Sequence, residues 1–344
     1  MSETQGFEIR NYLTAGGFLL IGILFLVSTL STLELGSGTA ELVATSMIKN
    51  LVFGLLFFAV GTLLVILRGR DIAAITFILT GLADIAVFFC GENANASWIF
   101  AIVNILWAII ILFAQDKEKY LFFVLNLLLG ITTITKYLPD VPVIVKFIPL
   151  VLLILIALYY AFAAGCERIS LPGRKLLTAD TVTEFKKSGS SIGYVLFALS
   201  SGLWVLIYLF GIDLSATSIF CLERALGIAL IVIGILLAYK KMQFTPVMFI
   251  LMGAGDLIAS FSSGIMIYAV GILLVVTGIF ALMRKESRIL VGVMLILYGC
   301  SAFLSAIAST SGMSAVSLVL NAIPCLIALY LAVATLSQKK MPLI

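Results

Sequence analysis

Twelve long apolar runs dominate this sequence of 344 residues. A helix needs about 20 apolar residues to cross the hydrocarbon core of a bilayer, and each run is close to that length. The runs are continuously apolar and do not alternate with period two, which argues against membrane β-strands. We therefore predict an all-α membrane protein with twelve transmembrane helices. The predicted spans are 13–33, 46–67, 72–90, 97–114, 120–138, 145–165, 191–211, 218–239, 244–261, 264–283, 289–308 and 315–336.

The composition supports lipid as the solvent of this chain. Only 11% of the residues are charged and 62% are hydrophobic, with a mean hydropathy of +1.24. A soluble domain carries roughly 25% charged residues. The sequence has no histidine, which removes the commonest metal ligand and any histidine-based triad. The five cysteines are scattered without metal-ligand spacing. We expect no metal, no cofactor and no enzyme activity.

The basic residues indicate the topology. In a twelve-span arrangement, all of the 21 lysines and arginines lie on one side except Lys49, Lys136, Lys146 and Arg224. This asymmetry over short loops is typical of cytoplasmic loops. We predict an integral protein of the plasma membrane with both termini in the cytoplasm. The net charge of +4 is then a topology signal, and we expect no nucleic-acid partner.

The two halves of the sequence resemble each other. Phe77–Asp84 reads FILTGLAD in the third span, and Phe249–Asp256 reads FILMGAGD in the ninth. A second pair, LIALYYAFA and LIALYLAVA, ends the sixth and twelfth spans. Such matches predict an internal duplication. Because each half has an even number of spans, the two repeats should be parallel in orientation. The predicted parts are a first six-helix repeat 1–165, a cytoplasmic linker 166–190 and a second six-helix repeat 191–344.

Each half is similar to the acetate uptake transporter family, the bacterial succinate–acetate permeases and their fungal relatives. The second half carries this resemblance best, through a glycine-bearing span that ends in Tyr239-Lys240-Lys241 and is followed by Phe249 and Gly253. Tyr330 in the last span and the Met-Pro-Leu-Ile sequence at 341–344 are similar to the family's last helix and tail.

This resemblance implies a membrane transporter for a short monocarboxylate. Six-span members assemble as hexamers, so a fused pair implies a homo-oligomer, a trimer of duplicated chains. The family's Asn-Pro-Ala-Pro-Leu-Gly entry motif is absent here. The family's third-span tyrosine corresponds to Thr80 and Met252, and a nearby tryptophan corresponds to Asp84 and Asp256. Urea and amide channels resemble the same architecture.

Asp84 and Asp256 are the first candidates for a functional site. Each lies about 12 residues into its span, or roughly 18 Å along the helix, beyond mid-bilayer. A carboxylate there costs several kcal/mol unless it is protonated, paired or water-facing. A site that can hold a proton suits proton coupling. The alternative is that both side chains only join helices through hydrogen bonds.

Other intramembrane residues have two interpretations each. Aromatic residues at matching positions of the two halves could form apolar constrictions or simply pack: Phe77, Phe249, Tyr159 and Tyr330. Lys49 and Arg224, at the predicted starts of their spans, could attract an anion or extend to the headgroups. Uncharged polar residues could line a pore or join helices: Asn50, Asn104, Asn126, Asn321, Ser200, Ser201 and 132–135. Glycines predicted to allow close helix approach are Gly16, Gly17, Gly61, Gly81, Gly130, Gly234, Gly253 and Gly299.

Together these features predict a membrane transporter or channel for a small polar solute, such as acetate, with or without a coupled proton. One alternative is a passive channel for urea or a related amide. Another is a membrane scaffold or sensor that transports nothing. The lipid bilayer and a small solute are the expected partners.

Overall fold

The computed structural model describes residues 3–34, 40–67, 71–90, 94–114, 119–138, 141–165, 185–210, 216–242, 244–261, 265–283, 289–307 and 315–337. Most of the predicted linker 166–190 and the sequence motif at 341–344 lie outside these residues. Within the described residues the regular structure is helical, without strands. The twelve helices are α1 Glu3–Glu34, α2 Ala40–Ile66, α3 Asp71–Cys90, α4 Ala94–Ile111, α5 Lys119–Tyr137, α6 Val143–Gly165, α7 Phe185–Phe210, α8 Ala216–Tyr239, α9 Thr245–Phe261, α10 Ile265–Met283, α11 Ile289–Ile307 and α12 Ala315–Leu336.

The chain divides into two compact units, Met1–Phe185 and Lys186–Ile344. The first unit contains α1 to α6, and the second contains α7 to α12. The boundary between the units falls inside the predicted linker 166–190.

Eight of the described helices are long and apolar enough to cross a membrane, and four shorter apolar helices accompany them. The shorter ones are α4, α9, α10 and α11. Large apolar side chains cover the outside of the helices, for example Ile144 (74% exposed), Phe280 (61%) and Leu326 (67%). A chain with so much apolar surface is stable in lipid and not in water. The apolar helices indicate an integral, multi-pass membrane protein.

Glycines bring neighbouring helices into backbone contact. In the first unit, a methyl group at Gly54 of α2 would lie 2.9 Å from the carbonyl oxygen of Gly81 in α3. In the second unit, a methyl group at Gly227 of α8 would lie 2.7 Å from the carbonyl oxygen of Gly253 in α9. Packing without side chains at the crossing point maximises dispersion contact, which is the main attraction between helices in lipid. The pairs α2–α3 and α8–α9 are therefore tightly packed helical hairpins.

Two further hairpins use the same device. A methyl group at Gly130 of α5 would lie 2.8 Å from the carbonyl oxygen of Ala101 in α4. In the second unit, a methyl group at Gly271 of α10 would lie 3.0 Å from the carbonyl oxygen of Gly299 in α11. These contacts also fix the register of each hairpin, which places the polar residues described below.

Aromatic rings fill the core of the first unit. The Phe18 ring lies 5.3 Å from the Phe77 ring, 5.8 Å from the Phe122 ring and 5.3 Å from the Tyr160 ring, measured between centroids. We call these four residues the ring cluster. All four side chains are buried, and they come from α1, α3, α5 and α6. The ring cluster therefore joins four helices of the unit.

The helix ends differ from the predicted span ends where polar residues continue the helix. The first helix starts at Glu3 instead of about residue 13, and α7 starts at Phe185 instead of about 191. Hydropathy detects only the apolar part of a helix, because it measures burial in lipid and not backbone conformation. The ninth and tenth spans are separate helices, with α9 ending at Phe261 and α10 starting at Ile265.

Candidate functional site

Asp256 lies at the centre of a polar cluster in the second unit. It is placed 11 residues after Thr245, the first residue of α9, and its side chain is 5% exposed. Around it the helices are apolar, so its polarity must be satisfied within the protein. This residue was predicted from the sequence as a site candidate, and its neighbours define what it can do.

Two hydroxyl groups hold the two carboxyl oxygens of Asp256. The Ser200 hydroxyl of α7 donates to Oδ2 at 2.7 Å, and the Tyr298 hydroxyl of α11 donates to Oδ1 at 2.9 Å. The two hydroxyl oxygens lie 3.3 Å from each other. Phe197 packs its ring edge-on against the Tyr298 ring, with 4.9 Å between centroids. Three helices therefore meet at one carboxyl group.

A second carboxyl group lies near the first. The Trp204 indole of α7 donates to Oε1 of Glu223 in α8 at 3.2 Å. Glu223 and Asp256 interact electrostatically as like-charged groups. Gly227 makes this approach possible, because a methyl group there would lie 3.2 Å from Cβ of Asp256. We call Asp256, Ser200, Tyr298, Glu223 and Trp204 the acidic cluster.

The acidic cluster uses one face of α7. Ser200 and Trp204 are four residues apart, so they lie one above the other on the same face of the helix. Glu223 and Gly227 have the same spacing on α8. Trp204 joins α7 to α8 through Glu223, whereas Ser200 and Gly227 both lie against Asp256 of α9.

Asp84 of the first unit lies in a different environment. It is placed 13 residues after Asp71, the first residue of α3, and its Oδ2 atom is buried without a hydrogen-bond partner among the described residues. Lys136 of α5 and Lys49 of α2 are the charged groups that interact with it electrostatically. Asp84 therefore has cationic neighbours, whereas Asp256 has an acidic one.

The structure places the other predicted site residues as follows. Phe77 is fully buried in the ring cluster, and Phe249 is fully buried against Tyr194, with 5.3 Å between ring centroids. Thr80 and Met252 are buried, and the Thr80 hydroxyl donates to the backbone carbonyl of Thr76 at 2.9 Å.

The remaining predicted residues lie nearer the surface or further along their helices than the sequence indicates. Tyr159 is 37% exposed, and its neighbour Tyr160 is the residue that enters the ring cluster. Tyr330 is partly buried in α12. Lys49 lies nine residues after the start of α2, and Arg224 lies eight residues after the start of α8. Both helices thus begin before these residues, but Lys49 is the first residue of the apolar span of α2, and Arg224 lies five residues after Ile219, where the apolar span of α8 begins.

Sequence reasoning missed most of the acidic cluster. Ser200 is only one of the general polar positions considered from the sequence, and Glu223, Tyr298 and Trp204 are not among the predicted candidates. A lone tyrosine or tryptophan in an apolar helix is ordinary in composition, and only its contact with a carboxyl group distinguishes it. The four-residue spacing of Ser200 and Trp204 was the one feature that could have drawn attention to this face.

Within the described residues there is no group of three or more His, Cys, Asp or Glu side chains that could hold a metal ion. The fold and the site together define a multi-pass helical membrane protein with buried carboxyl groups in its interior. No protein-family model matches the chain, and no similar protein was found among curated proteins or solved structures.

Proposed function

We propose that this protein is a membrane transporter for a small polar solute and that Asp256 is its proton-binding residue. The acidic cluster is the observation that carries the proposal. Two carboxyl groups that interact inside an apolar helix bundle repel each other when both are ionised, so such a pair is suited to taking up and releasing a proton. Neighbouring carboxyl groups inside the membrane mark proton relays in pumps and transporters.

The hydroxyl groups of Ser200 and Tyr298 fit both protonation states of Asp256. Each can donate to an ionised carboxylate, and each hydroxyl oxygen can accept from a protonated carboxyl group. A change of protonation therefore needs only rotation of hydroxyl protons, without movement of a helix. A site that joins helices only structurally has no need for a second carboxyl group nearby, and this favours transport over the scaffold alternative.

The first cargo to test is a short monocarboxylate such as acetate, which is the substrate implied by the resemblance to the acetate uptake transporters. Proton coupling suits this cargo, because the anion and a proton together carry no net charge across the bilayer. Passive passage of urea or an amide is the second candidate, and it would need no proton-binding residue.

We further propose that the chain consists of two duplicated six-helix repeats in the plasma membrane, with both termini in the cytoplasm. Equivalent contacts in the two units support the duplication. Phe18 meets Phe77 with 5.3 Å between centroids and 76° between ring planes, and Tyr194 meets Phe249 with the same values. The Gly54–Gly81 contact of the first unit has its counterpart in Gly227–Gly253. A homotrimer of duplicated chains is the assembly that the resemblance implies.

Uptake into proteoliposomes tests the proposal. The full-length protein is reconstituted, and uptake of labelled acetate is measured with and without an inward proton gradient. We expect the gradient to accelerate uptake by the native protein and to have no effect on Asp256→Asn, which keeps the size of the side chain but cannot ionise. Glu286→Gln, in the charged segment 284–288, is the matched carboxyl-to-amide control and should behave like the native protein.

The outcomes separate the alternatives. Gradient-independent uptake of urea or formamide by both native protein and Asp256→Asn would favour the passive channel. If Asp256→Asn kept full coupling, the assignment of the proton to Asp256 would be wrong. No uptake of acetate, succinate, urea or formamide would favour the scaffold.

A further inference from the structure

Six side chains of the first unit present buried polar atoms without a hydrogen-bond partner among the described residues, and Asn104, Trp107 and Asn126 of the α4–α5 hairpin are three of them. The Oδ1 atoms of Asn104 and Asn126 and the Nε1 atom of Trp107 have no hydrogen-bond partner among the described residues. Asn104 is 5% exposed, and Asn126 and Trp107 are fully buried. Buried polar groups in proteins are nearly always hydrogen-bonded, and a group left unpaired is costly. Each of these atoms therefore points to something that pairs with it.

The orientation of the Asn126 amide follows from its other bonds. Its Nδ2 atom donates to the Thr76 hydroxyl oxygen at 3.1 Å and to the Phe122 carbonyl oxygen at 2.8 Å. The Thr76 hydroxyl itself donates to the Ile72 carbonyl at 3.0 Å, so its oxygen must accept from Asn126. Exchanging the nitrogen and oxygen of the amide would break both bonds. The unpaired atom of Asn126 is therefore an acceptor, and that of Trp107 is a donor.

The register of the α4–α5 hairpin places these residues at a similar depth along the two helices. Gly130 of α5 faces Ala101 and Ile105 of α4. A methyl group at Gly130 would lie 2.8 Å from the Ala101 carbonyl oxygen and 2.5 Å from the Ile105 side chain. Continuing this antiparallel register places Asn126 at the level of Trp107. Asn104 is three residues from Trp107, about 5 Å along the helix.

We propose that Asn104, Trp107 and Asn126 bind a small neutral carbonyl compound that also carries a hydrogen-bond donor, namely an amide or an undissociated carboxylic acid. Its N–H or O–H group would donate to Oδ1 of Asn126, and its carbonyl oxygen would accept from Nε1 of Trp107. The Asn104 amide can form a further hydrogen bond with either end of the compound, because it offers both an acceptor and donors. A carboxylate anion has no donor for Asn126 and would face apolar surroundings with its charge, so the site rejects the ionised form.

The surroundings of the site match a small solute in a membrane protein. Phe122 of the ring cluster is one helical turn before Asn126 on α5, and Phe77 follows Thr76 on α3. The ring cluster therefore bounds the site on the side of the α5 N-terminus with apolar surface. In the opposite direction along α3, Thr80 and Asp84 continue the polar face at four-residue spacing.

The inference deepens the proposed function, because it names the chemical form in which the solute is bound. It rests on the proposed function in treating the bound compound as the transported solute. Binding itself is measured without transport. Equilibrium dialysis of the purified full-length protein in nanodiscs, with labelled acetamide and labelled acetic acid, compares an acidic buffer below the pKa of the acid with a neutral buffer. We expect acetamide to bind equally in both buffers and acetic acid to bind only in the acidic one.

Trp107→Phe and Asn104→Leu test the residues. Trp107→Phe removes the indole N–H, and we expect the affinity for acetamide to fall about 2- to 10-fold, the effect of one hydrogen bond. Trp98→Phe, on the same helix, is the control for loss of an indole ring and should bind acetamide normally. Asn104→Leu should weaken binding similarly without lowering the melting temperature of the unliganded protein, since an unpaired amide is replaced by an apolar group of similar size.

Three results would overturn the inference. The first is that neither compound binds, which would mean that only water pairs with these atoms. The second is that Trp107→Phe and Asn104→Leu bind acetamide as tightly as the native protein. The third is that the acetate anion binds in neutral buffer. The proposed function fails separately, if binding is found but no proteoliposome uptake accompanies it. Conversely, if uptake is proton-coupled but the two variants bind acetamide normally, the proposed function stands and the binding site at Asn104, Trp107 and Asn126 is wrong.

Discussion

At the level of single residues, the two hydroxyl groups around Asp256 act on different oxygens of one carboxyl group. Ser200 holds Oδ2 and Tyr298 holds Oδ1, and the hydroxyls also lie within hydrogen-bonding distance of each other. Groups in one hydrogen-bond network have effects that do not add. The consequence of losing one hydroxyl therefore depends on whether the other is still present.

Ser200→Ala and Tyr298→Phe should each lower the free energy of unfolding by about 1 kcal/mol, the net contribution of a typical hydrogen bond. The double variant should deviate from the sum of the two single variants by at least about 0.5 kcal/mol, because the groups share a partner. Chemical denaturation in mild detergent measures these values. Tyr268→Phe in α10 is the control for loss of a tyrosine hydroxyl, and an additive double variant would contradict the shared network.

The sequence predicted the centre of this site but not its partners. A charged residue in an apolar run is conspicuous, so Asp84 and Asp256 could be identified from composition alone. Their environments could not, because Lys136 lies 52 residues from Asp84 and Glu223 lies 33 residues before Asp256. Which of these residues meet depends on the rotation and register of packed helices. Hydropathy contains no information about either.

At the level of helices, glycine determines how closely each hairpin packs. Of the eight glycines predicted to allow close approach, six lie against the backbone of a neighbouring helix, and Gly17 lies against the ring of Phe77. Gly16 is the exception, because nothing lies within 4 Å of a methyl group placed there. A glycine allows close helix approach only where its side of the helix faces a neighbouring helix. The sequence alone does not show which side of each helix that is.

Gly227→Ala should destabilise the protein by about 1–3 kcal/mol, since its methyl group would meet the Gly253 carbonyl oxygen, which cannot rotate away as a side chain could. The same change should disturb the acidic cluster, because Asp256 lies beside Gly227. Gly16→Ala is the matched control and should be neutral or stabilising by up to about 1 kcal/mol, the gain in helix propensity. Equal melting temperatures of the two variants would show that the α8–α9 contact is not tight.

The end of α8 contains a residue in the left-handed region. Lys241 has φ 58°, and the amides of Lys241 and Met242 donate to the carbonyls of Ala238 and Leu237 at 2.9 and 3.2 Å. This is the Schellman arrangement, which normally has glycine at the position of Lys241. The Tyr-Lys-Lys turn therefore has a cost in backbone energy that the sequence alone does not reveal.

Lys241→Gly should raise the free energy of unfolding by about 1 kcal/mol, the cost of placing a side chain in the left-handed region. Thermal unfolding in detergent measures the change. Lys240→Gly is the control, and it should be neutral or destabilising because Lys240 has no positive φ. A loss of stability for Lys241→Gly would mean that contacts of the lysine side chain outweigh its backbone strain.

At the level of the whole molecule, the two units have the same aspartate in unlike surroundings. Lys49 and Lys136 interact electrostatically with Asp84, whereas Asp256 interacts with Glu223, another carboxyl group. The matching sequences predict a symmetric pair of carboxyl groups, and the structure shows that their neighbours differ. The lysines favour the ionised form of Asp84 and a second carboxyl group disfavours it in the Asp256–Glu223 pair, while burial opposes ionisation at both places.

The number of membrane crossings depends on four helices whose apolar stretches are only 10–17 residues long. Helix α10 decides it for the second unit. If α10 crosses, as the twelve-span arrangement requires, residues before Ile265 and after Met283 lie on opposite sides of the membrane. Ser263→Cys and Lys285→Cys, each introduced after replacement of the five native cysteines, should then react with an impermeant maleimide from opposite sides of intact cells and inverted vesicles. The basic segment 284–288 should be the cytoplasmic one. Labelling of both positions from the same side would show that α10 does not cross the membrane. The number of spans would then be odd, and the two termini would lie on opposite sides of the membrane.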